Sequence, residues 1–348
     1  MNRKQRRTVE KIDKKQGRKG AATSAADSVV EKAIAAAQVG ALGDAERALD
    51  EVLQRLPDHV EALHQKGMLL ARTHRVEDGI ALLQRATARK PAEALYWNNL
   101  AAACLTCDRS DEARTAARKA VELDPKYVMA WRNLAMASSD LGEHRDAAAA
   151  LETAARLAPN DTDTWNRLGL AQLELRDLAR AETAFAKAVA LDPGNAECRS
   201  NLGVLLVKRS RAGEAVVHLE KAAEIEPDRF TTALHYGIAL TLSGEPAKAL
   251  RWLRRATSIK PNSDVAWGAL ADAAISAGES AEALDAAKRA AQFEPTDANH
   301  RARLRKLQPG ATPRSTLIEL DLGTLLSSDE DKASEPDPST SLDQIFIR

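Results

Sequence analysis

Residues 162–195 read TDTWNRLGLAQLELRDLARAETAFAKAVALDPGN, and the spacing of their Trp, Gly and Pro predicts a helix pair. Trp165 and Leu168 stand three positions apart, so they share one face of a first helix. Gly169 is small and lets two helix backbones approach closely where they cross. Pro193 has no amide hydrogen and ends the unit. The stretch therefore predicts two antiparallel helices joined by a short turn.

The same unit recurs every 34 residues in both directions along the chain. Eight of the thirteen prolines follow this period, and small residues repeat in step at one position of each helix. Three interleaved periods of this kind indicate tandem repeats. The prolines are Pro57, Pro91, Pro125, Pro159, Pro193, Pro227, Pro261 and Pro295. The small residues of the first helices are Ala33, Gly67, Ala101, Ala135, Gly169, Gly203, Gly237 and Ala271.

The pattern W-x2-L-G, then A-x3-F, then a proline resembles the tetratricopeptide repeat. The resemblance implies an all-α fold: a right-handed superhelical α-solenoid of antiparallel helix pairs with disordered tails. It also implies that the first helices line a concave groove in which protein partners bind. Eight repeats cover residues 26–297, with the boundaries 26–59, 60–93, 94–127, 128–161, 162–195, 196–229, 230–263 and 264–297.

The turn after the first helix carries glycine in four repeats, at Gly40, Gly142, Gly244 and Gly278. Glycine at such a position suits a left-handed residue that closes the helix. The other four repeats have His74, Asp108, Arg176 and Ser210 there. We therefore expect a turn that is not uniformly left-handed.

Both ends of the chain differ from the array. Residues 1–25 form a predicted disordered tail, with nine Lys or Arg among the first twenty residues. We expect this tail to be solubilising; the alternative is contact with nucleic acid or an anionic membrane. Residues 298–308 predict a capping helix that packs through Leu304 and keeps Arg301, Arg303, Arg305 and Lys306 in water.

Residues 309–348 hold eight acidic and three basic residues and predict a second disordered tail. The tail contains two apolar clusters, 317–326 and 342–347, of the kind that acts as a docking peptide. Incidental packing at the end of the array is the equally weighted alternative. Docking of the tail back into the groove is a further hypothesis.

Composition argues against several function classes. Lys plus Arg and Asp plus Glu both number 50, so no net field favours nucleic acid or membrane. The sequence contains no phosphate-binding loop, dinucleotide fingerprint or HExxH pair, and we predict no enzyme, no cofactor and no small-molecule substrate. Cys104 and Cys107 fall at the end of a first helix, where we expect packing rather than metal or redox chemistry. Three cysteines without a disulfide framework favour the cytoplasm.

Two rows of residues on the first helices form the candidate site. One row can donate hydrogen bonds, and the other, one turn further along each helix, is apolar. Such paired rows suit an extended peptide, because side-chain amides can satisfy its backbone while its apolar side chains enter the neighbouring row. The polar row is Gln65, Asn99, Asn133, Arg167, Asn201 and His235, and the predicted apolar contacts are Met68, Met136, Leu170 and Val204. The alternative is a merely solvated face.

The leading hypothesis is a non-enzymatic scaffold or adaptor that binds an extended segment of a protein partner in the groove. The asparagine row is similar to the ladder in the repeat region of O-linked N-acetylglucosamine transferases, which hold polypeptides this way. The second hypothesis is therefore an accessory or targeting subunit of a glycosyl- or sulfo-transferase system.

Overall fold

The computed structural model describes residues 23–307. The predicted basic tail before residue 23 and the predicted acidic tail 309–348, with its apolar clusters, lie outside the described residues. Residues 23–25, which the repeat boundary places before the array, belong to the first helix.

Seventeen α-helices and no strands make up residues 23–307, as the repeat pattern predicts. None of these helices is long and apolar enough to cross a lipid bilayer. Odd numbers mark the first helix of each pair, even numbers the second, and α17 follows the eighth pair alone. The helices are α1 (23–38), α2 (Leu42–Arg55), α3 (Val60–Arg72), α4 (Val76–Arg89), α5 (Ala94–Leu105), α6 (Ser110–Leu123), α7 (Val128–Asp140), α8 (His144–Leu157), α9 (Thr162–Glu174), α10 (Leu178–Leu191), α11 (Ala196–Lys208), α12 (Ala212–Ile225), α13 (Phe230–Leu242), α14 (Pro246–Ile259), α15 (Asp264–Ala277), α16 (Ser280–Phe293) and α17 (Ala298–Leu307).

The described helices form two compact units, residues 23–158 with α1–α8 and residues 159–307 with α9–α17. Within each unit a second helix packs on its own first helix and on the first helix of the next repeat. First helices of successive repeats also contact one another, as α3, α5 and α7 do in the first unit and α11, α13 and α15 do in the second. We call the surface that the first helices form in each unit its first-helix face.

Glycine in the first helix lets a large side chain of the second helix lie against the backbone. A Cβ added to Gly169 would lie 2.4 Å from Cε1 of Phe185, and one added to Gly203 would lie 2.5 Å from Cγ of Leu219. Phe185 and Leu219 are completely buried at these contacts. The seam between the two helices of a repeat is therefore closed by a small residue facing a large one.

The tryptophan of the repeat has a polar task besides packing. Its indole nitrogen donates a hydrogen bond of 2.8–2.9 Å to the carbonyl of the proline six residues earlier. Four repeats share this bond, through Trp97, Trp131, Trp165 and Trp267. Repeat six has no tryptophan, but Nε of Arg199 donates to the carbonyl of Pro193 at 2.6 Å. The bond thus fixes the entry to the first helix even where the residue type changes.

The turn between the two helices is left-handed in all eight repeats, so the expectation of a non-uniform turn is wrong. His74, Asp108, Arg176 and Ser210 have φ of +55° to +61°, beside +73° to +83° for the four glycines. The reason is a shared hydrogen bond that closes the first helix, such as the one from the amide of Asp177 to the carbonyl of Gln172 at 2.9 Å. This closure requires a left-handed residue regardless of its type.

The capping helix α17 also differs from its prediction. Leu304 packs against the core, as expected, but Arg303 is 5% exposed rather than solvated. Its guanidinium makes two hydrogen bonds to Asp272, at 2.9 and 2.7 Å, and lies over Gly268, where a Cβ would come within 3.0 Å of it. The missing side chain at Gly268 leaves room for the arginine, and Asp272 supplies the opposite charge.

Candidate functional site

The polar row lies on the first helices but is only partly exposed. Asn99 and Asn133 are 3% exposed and His235 is 5% exposed, whereas Gln65, Arg167 and Asn201 are half-buried. The row therefore includes buried members in both units. Their hydrogen bonds decide which groups remain available to a partner.

In the first unit the buried amides form a chain across three first helices. Nδ2 of Asn133 on α7 donates to Oδ1 of Asn98 on α5 at 2.9 Å, and Nδ2 of Asn98 donates to Oδ1 of Asn99 at 3.1 Å. Nδ2 of Asn99 lies 2.8 Å from Nε2 of His64 on α3. Each link between helices joins residues 35 positions apart. The chain therefore couples adjacent repeats to one another.

Glu61 lies beside His64 at the α3 end of this chain and faces several donors. Nδ1 of His64 lies 3.8 Å from its carboxylate, Nε2 of Gln65 donates to it at 2.8 Å, and the hydroxyl of Tyr96 donates at 2.8 Å. These neighbours, His64 first, lower the pKa of Glu61 from 4.5 to about 2 against the opposing effect of burial. Glu61 is therefore a fixed anion at neutral pH.

The second unit repeats the arrangement in a more exposed form. Nδ2 of Asn201 on α11 donates to Oδ1 of Asn166 on α9 at 2.9 Å, and Nδ2 of Asn166 donates to Glu197 at 3.0 Å. Nε of Arg167 donates to both carboxylate oxygens of Asp163 at 3.0 Å. Arg167 thus has an anionic partner within its own helix, and Asn201 keeps part of its amide at the surface.

The apolar row is the more exposed of the two. Met68, Met136 and Val204 are half-buried, and Leu170 is 39% exposed. At the equivalent positions of two other repeats, Ala102 and Ile238 are buried. The row therefore offers apolar surface at separate places in the two units rather than as an unbroken stripe.

Met129 belongs to this face but to neither of the two predicted rows. Met129 lies seven positions before Met136 on α7, so both belong to the same side of the helix, and it is half-buried. Besides Met1 the chain has three methionines, and all three lie on the first helices of the first unit. The clustering of a rare residue could have identified Met129 from the sequence.

The three cysteines of residues 23–307 are buried or half-buried thiols. Cys104 is fully buried, and burial raises the pKa of its thiol to about 11. Burial also raises the pKa of the partly exposed Cys107, whose Sγ lies 3.5 Å from Glu77. All three cysteines are free thiols, and residues 23–307 contain no cluster of potential metal ligands.

Two models of the tetratricopeptide repeat match the chain, one over residues 30–93, 64–128 and 132–196, the other over 172–235 and 206–272. A comparison with the curated proteins finds no match.

Solved structures resemble the chain in fold. A chain of the APC/C hetero-tetramer Cut9–Hcn1 aligns with a TM-score of 0.55 and 19% identity, over 76% of this chain and 52% of that one. The protein thus spans about half the length of that relative. Pseudomonas aeruginosa pilF has a TM-score of 0.53 and 18% identity, over 62% of this chain and 97% of that one. A tetratricopeptide repeat protein from Parabacteroides merdae has a TM-score of 0.53 and 16% identity, over 71% and 98%.

Proposed function

Since the chain belongs to the tetratricopeptide-repeat family, we propose that it is a non-enzymatic scaffold that binds an extended segment of a protein partner on its first-helix faces. Arrays of this fold are in general protein-interaction scaffolds. We propose in addition that the bound segment is extended and that particular residues of these faces contact it. We propose a cytoplasmic setting, on the ground of the three free thiols.

The observation that carries the proposal is that all three internal methionines lie on first helices of the first unit, Met68 on α3 and Met129 and Met136 on α7. Alanine and leucine fill most of the core around these helices, and Met68, Met129 and Met136 are only half-buried. Each methionine therefore keeps part of its apolar side chain at the surface. Methionine is flexible and polarizable, and proteins use it at surfaces that adapt to different apolar side chains. We place the principal peptide site there. Leu170 and Val204 form a smaller surface of the same kind in the second unit.

The polar partners of the peptide are the members of the row that keep a free group. Nε2 of Gln65 donates one of its two hydrogens to Glu61, and Asn201 likewise uses one amide hydrogen within the array. Each retains an N–H and a carbonyl oxygen for a peptide backbone. Asn99 and Asn133 support the site from beneath, because their amides are engaged between repeats.

The transferase-accessory hypothesis receives no second observation. It depends on the asparagine row being offered to a polypeptide as a ladder. In the first unit the amides of Asn99 and Asn133 join neighbouring repeats instead.

A methyl-labelling experiment tests the proposed site directly. A peptide is first selected from a random library on the full chain, and its binding is then followed by NMR of a protein carrying ¹³C-methyl methionine. The proposal expects the peptide to shift the signals of Met68, Met129 and Met136 and to leave that of Met1 in place. Saturable binding without movement of the three internal signals would place the site elsewhere.

A further inference from the structure

Among residues 23–307, the last helix, α17, occupies the place of a first helix, and no second helix packs on it. Arg305 lies 34 residues after Ala271, at the position that is glycine or alanine in all eight repeats. In the complete repeats this position faces the second helix, as Gly169 faces Phe185. Arg305 is exposed, and within residues 23–307 no helix follows α17. The end of the array thus presents an arginine where a second helix would pack.

This end face is cationic and incompletely neutralised. α17 contains four basic residues and no acidic one, and only Arg303 is buried against a carboxylate. Among the described residues Arg301 and Arg305 form no ion pair; each donates to a backbone carbonyl, of Thr296 at 2.9 Å and of Arg301 at 3.4 Å. Arginines within the array, by contrast, reach carboxylates of a neighbouring repeat, as Arg254 reaches Glu282 at 2.8 and 2.7 Å.

The sequence after α17 has the complementary chemistry. Residues 317–326 read LIELDLGTLL, in which Glu319 and Asp321 alternate with apolar residues. Residues 308–316 separate this segment from α17 and can span up to about 30 Å. The helix itself, with ten residues, is about 15 Å long. The segment can therefore return along the whole of α17.

The spacing of the charges matches as well. Arg301 and Arg305 are four residues apart on a helix, a rise of about 6 Å. Glu319 and Asp321 are two residues apart, which is about 6.6 Å in an extended chain. Two carboxylates can thus meet two guanidinium groups in register, and arginine–carboxylate pairs form charge-assisted hydrogen bonds.

We propose that residues 317–326 dock on the exposed side of α17, with Glu319 and Asp321 paired to Arg301 and Arg305. This contact caps the array in place of a ninth second helix. The inference rests on the end of the second unit and is independent of peptide binding on the first.

Hydrogen exchange of the full chain, read by mass spectrometry on peptides covering 317–326, tests the proposal. We expect amide exchange in this segment at least about tenfold slower than for an unstructured peptide of the same sequence. The double variant Arg301→Glu/Arg305→Glu should exchange at the unstructured rate. Adding Glu319→Arg and Asp321→Arg to that variant should restore the protection, because the pairs are re-formed with reversed charge.

The control is Arg118→Glu/Lys187→Glu, which makes the same change of charge at exposed sites on α6 and α10 and should leave the protection intact. Protection should not change with protein concentration, and 1 M salt should reduce it. An unprotected segment in the wild type, equal protection in the Arg301/Arg305 variant, or protection lost on dilution would each overturn the proposal.

Discussion

The side-chain amide of Asn133 donates a 2.9 Å hydrogen bond to Oδ1 of Asn98, which lies 35 residues earlier on the preceding first helix. Both residues are at least 97% buried, because their exposed fractions are 3% and 1%. The bond therefore joins two repeats inside the protein. It identifies the buried part of the polar row as a coupling between repeats.

Replacing Asn133 by Ala should destabilise the first unit by about 1–3 kcal/mol, since the buried oxygen of Asn98 loses its donor. The matched variant Asn201→Ala removes the equivalent bond to Asn166. Because Asn201 itself is half-buried, water can replace its amide beside the Asn166 oxygen, and the substitution should cost less, about 0.5–1.5 kcal/mol. Hydrogen exchange of α5 and α7 measures the local effect of Asn133→Ala, and that of α9 and α11 measures the effect of Asn201→Ala. Negligible effects of both substitutions would show that these bonds do not couple neighbouring repeats.

Glycine at the non-glycine turns should stabilise the array. A left-handed conformation costs an ordinary L-residue about 1–2 kcal/mol, and the greater chain entropy of glycine offsets part of that gain. We expect Arg176→Gly to stabilise by about 0.5–1 kcal/mol and Gly142→Ala to destabilise by about 1 kcal/mol. Gly142 is a suitable counterpart because no atom lies within 4 Å of its added Cβ. Urea unfolding provides the measurement, and opposite signs would contradict the left-handed turn.

The pKa of Glu61 predicts an acid dependence of stability. This pKa is about 2 in the folded chain and 4.5 as the unperturbed value, so the unfolded chain binds the proton first as the pH falls. The stabilisation from Glu61 is fully present above pH 4.5 and is lost as the pH approaches 2. Unfolding midpoints of the wild type should therefore fall more steeply over this range than those of Glu61→Gln. Parallel curves would show that Glu61 contributes nothing.

Removing one partner of the buried pair Arg303–Asp272 should destabilise the protein more than replacing both partners by apolar residues. Arg303→Met leaves the carboxylate of Asp272 buried without its cation and should cost about 3–5 kcal/mol. The double variant Arg303→Met/Asp272→Leu has no buried charge and should recover most of this loss. Hydrogen exchange of α15 and α17 distinguishes the two. A double variant as unstable as the single one would assign the cost to lost packing.

The 34-residue period predicted the helix pairs because proline, glycine and tryptophan act locally on the backbone. The hydrogen-bond partners of the polar row could not be predicted in the same way. Asn99 and Asn133 bond to residues 35 positions away, which is one more than the repeat length. A comparison of equivalent positions, which are 34 residues apart, therefore does not find these pairs.

Two other differences between expectation and structure have specific causes that the residue types alone do not show. Asp108 and Arg176 are left-handed because the bond that closes the first helix imposes that conformation. Arg303 is buried because Gly268 leaves space and Asp272 supplies a charge, and both residues belong to a different helix. The burial of Arg303 therefore cannot be recognised from the capping segment itself.

Peptide binding on the first-helix face is measured by the affinity of the full chain for a library-selected peptide, by titration calorimetry. Converting Met68, Met129 and Met136 together to Gln should raise Kd at least about tenfold, because the polar side chains oppose burial of apolar peptide groups. Converting the same three to Leu should change Kd little, since volume and polarity are nearly kept. Val217→Gln, at an exposed site on α12, should have no effect. Unchanged affinity in the Gln variant would contradict peptide binding on the first-helix face.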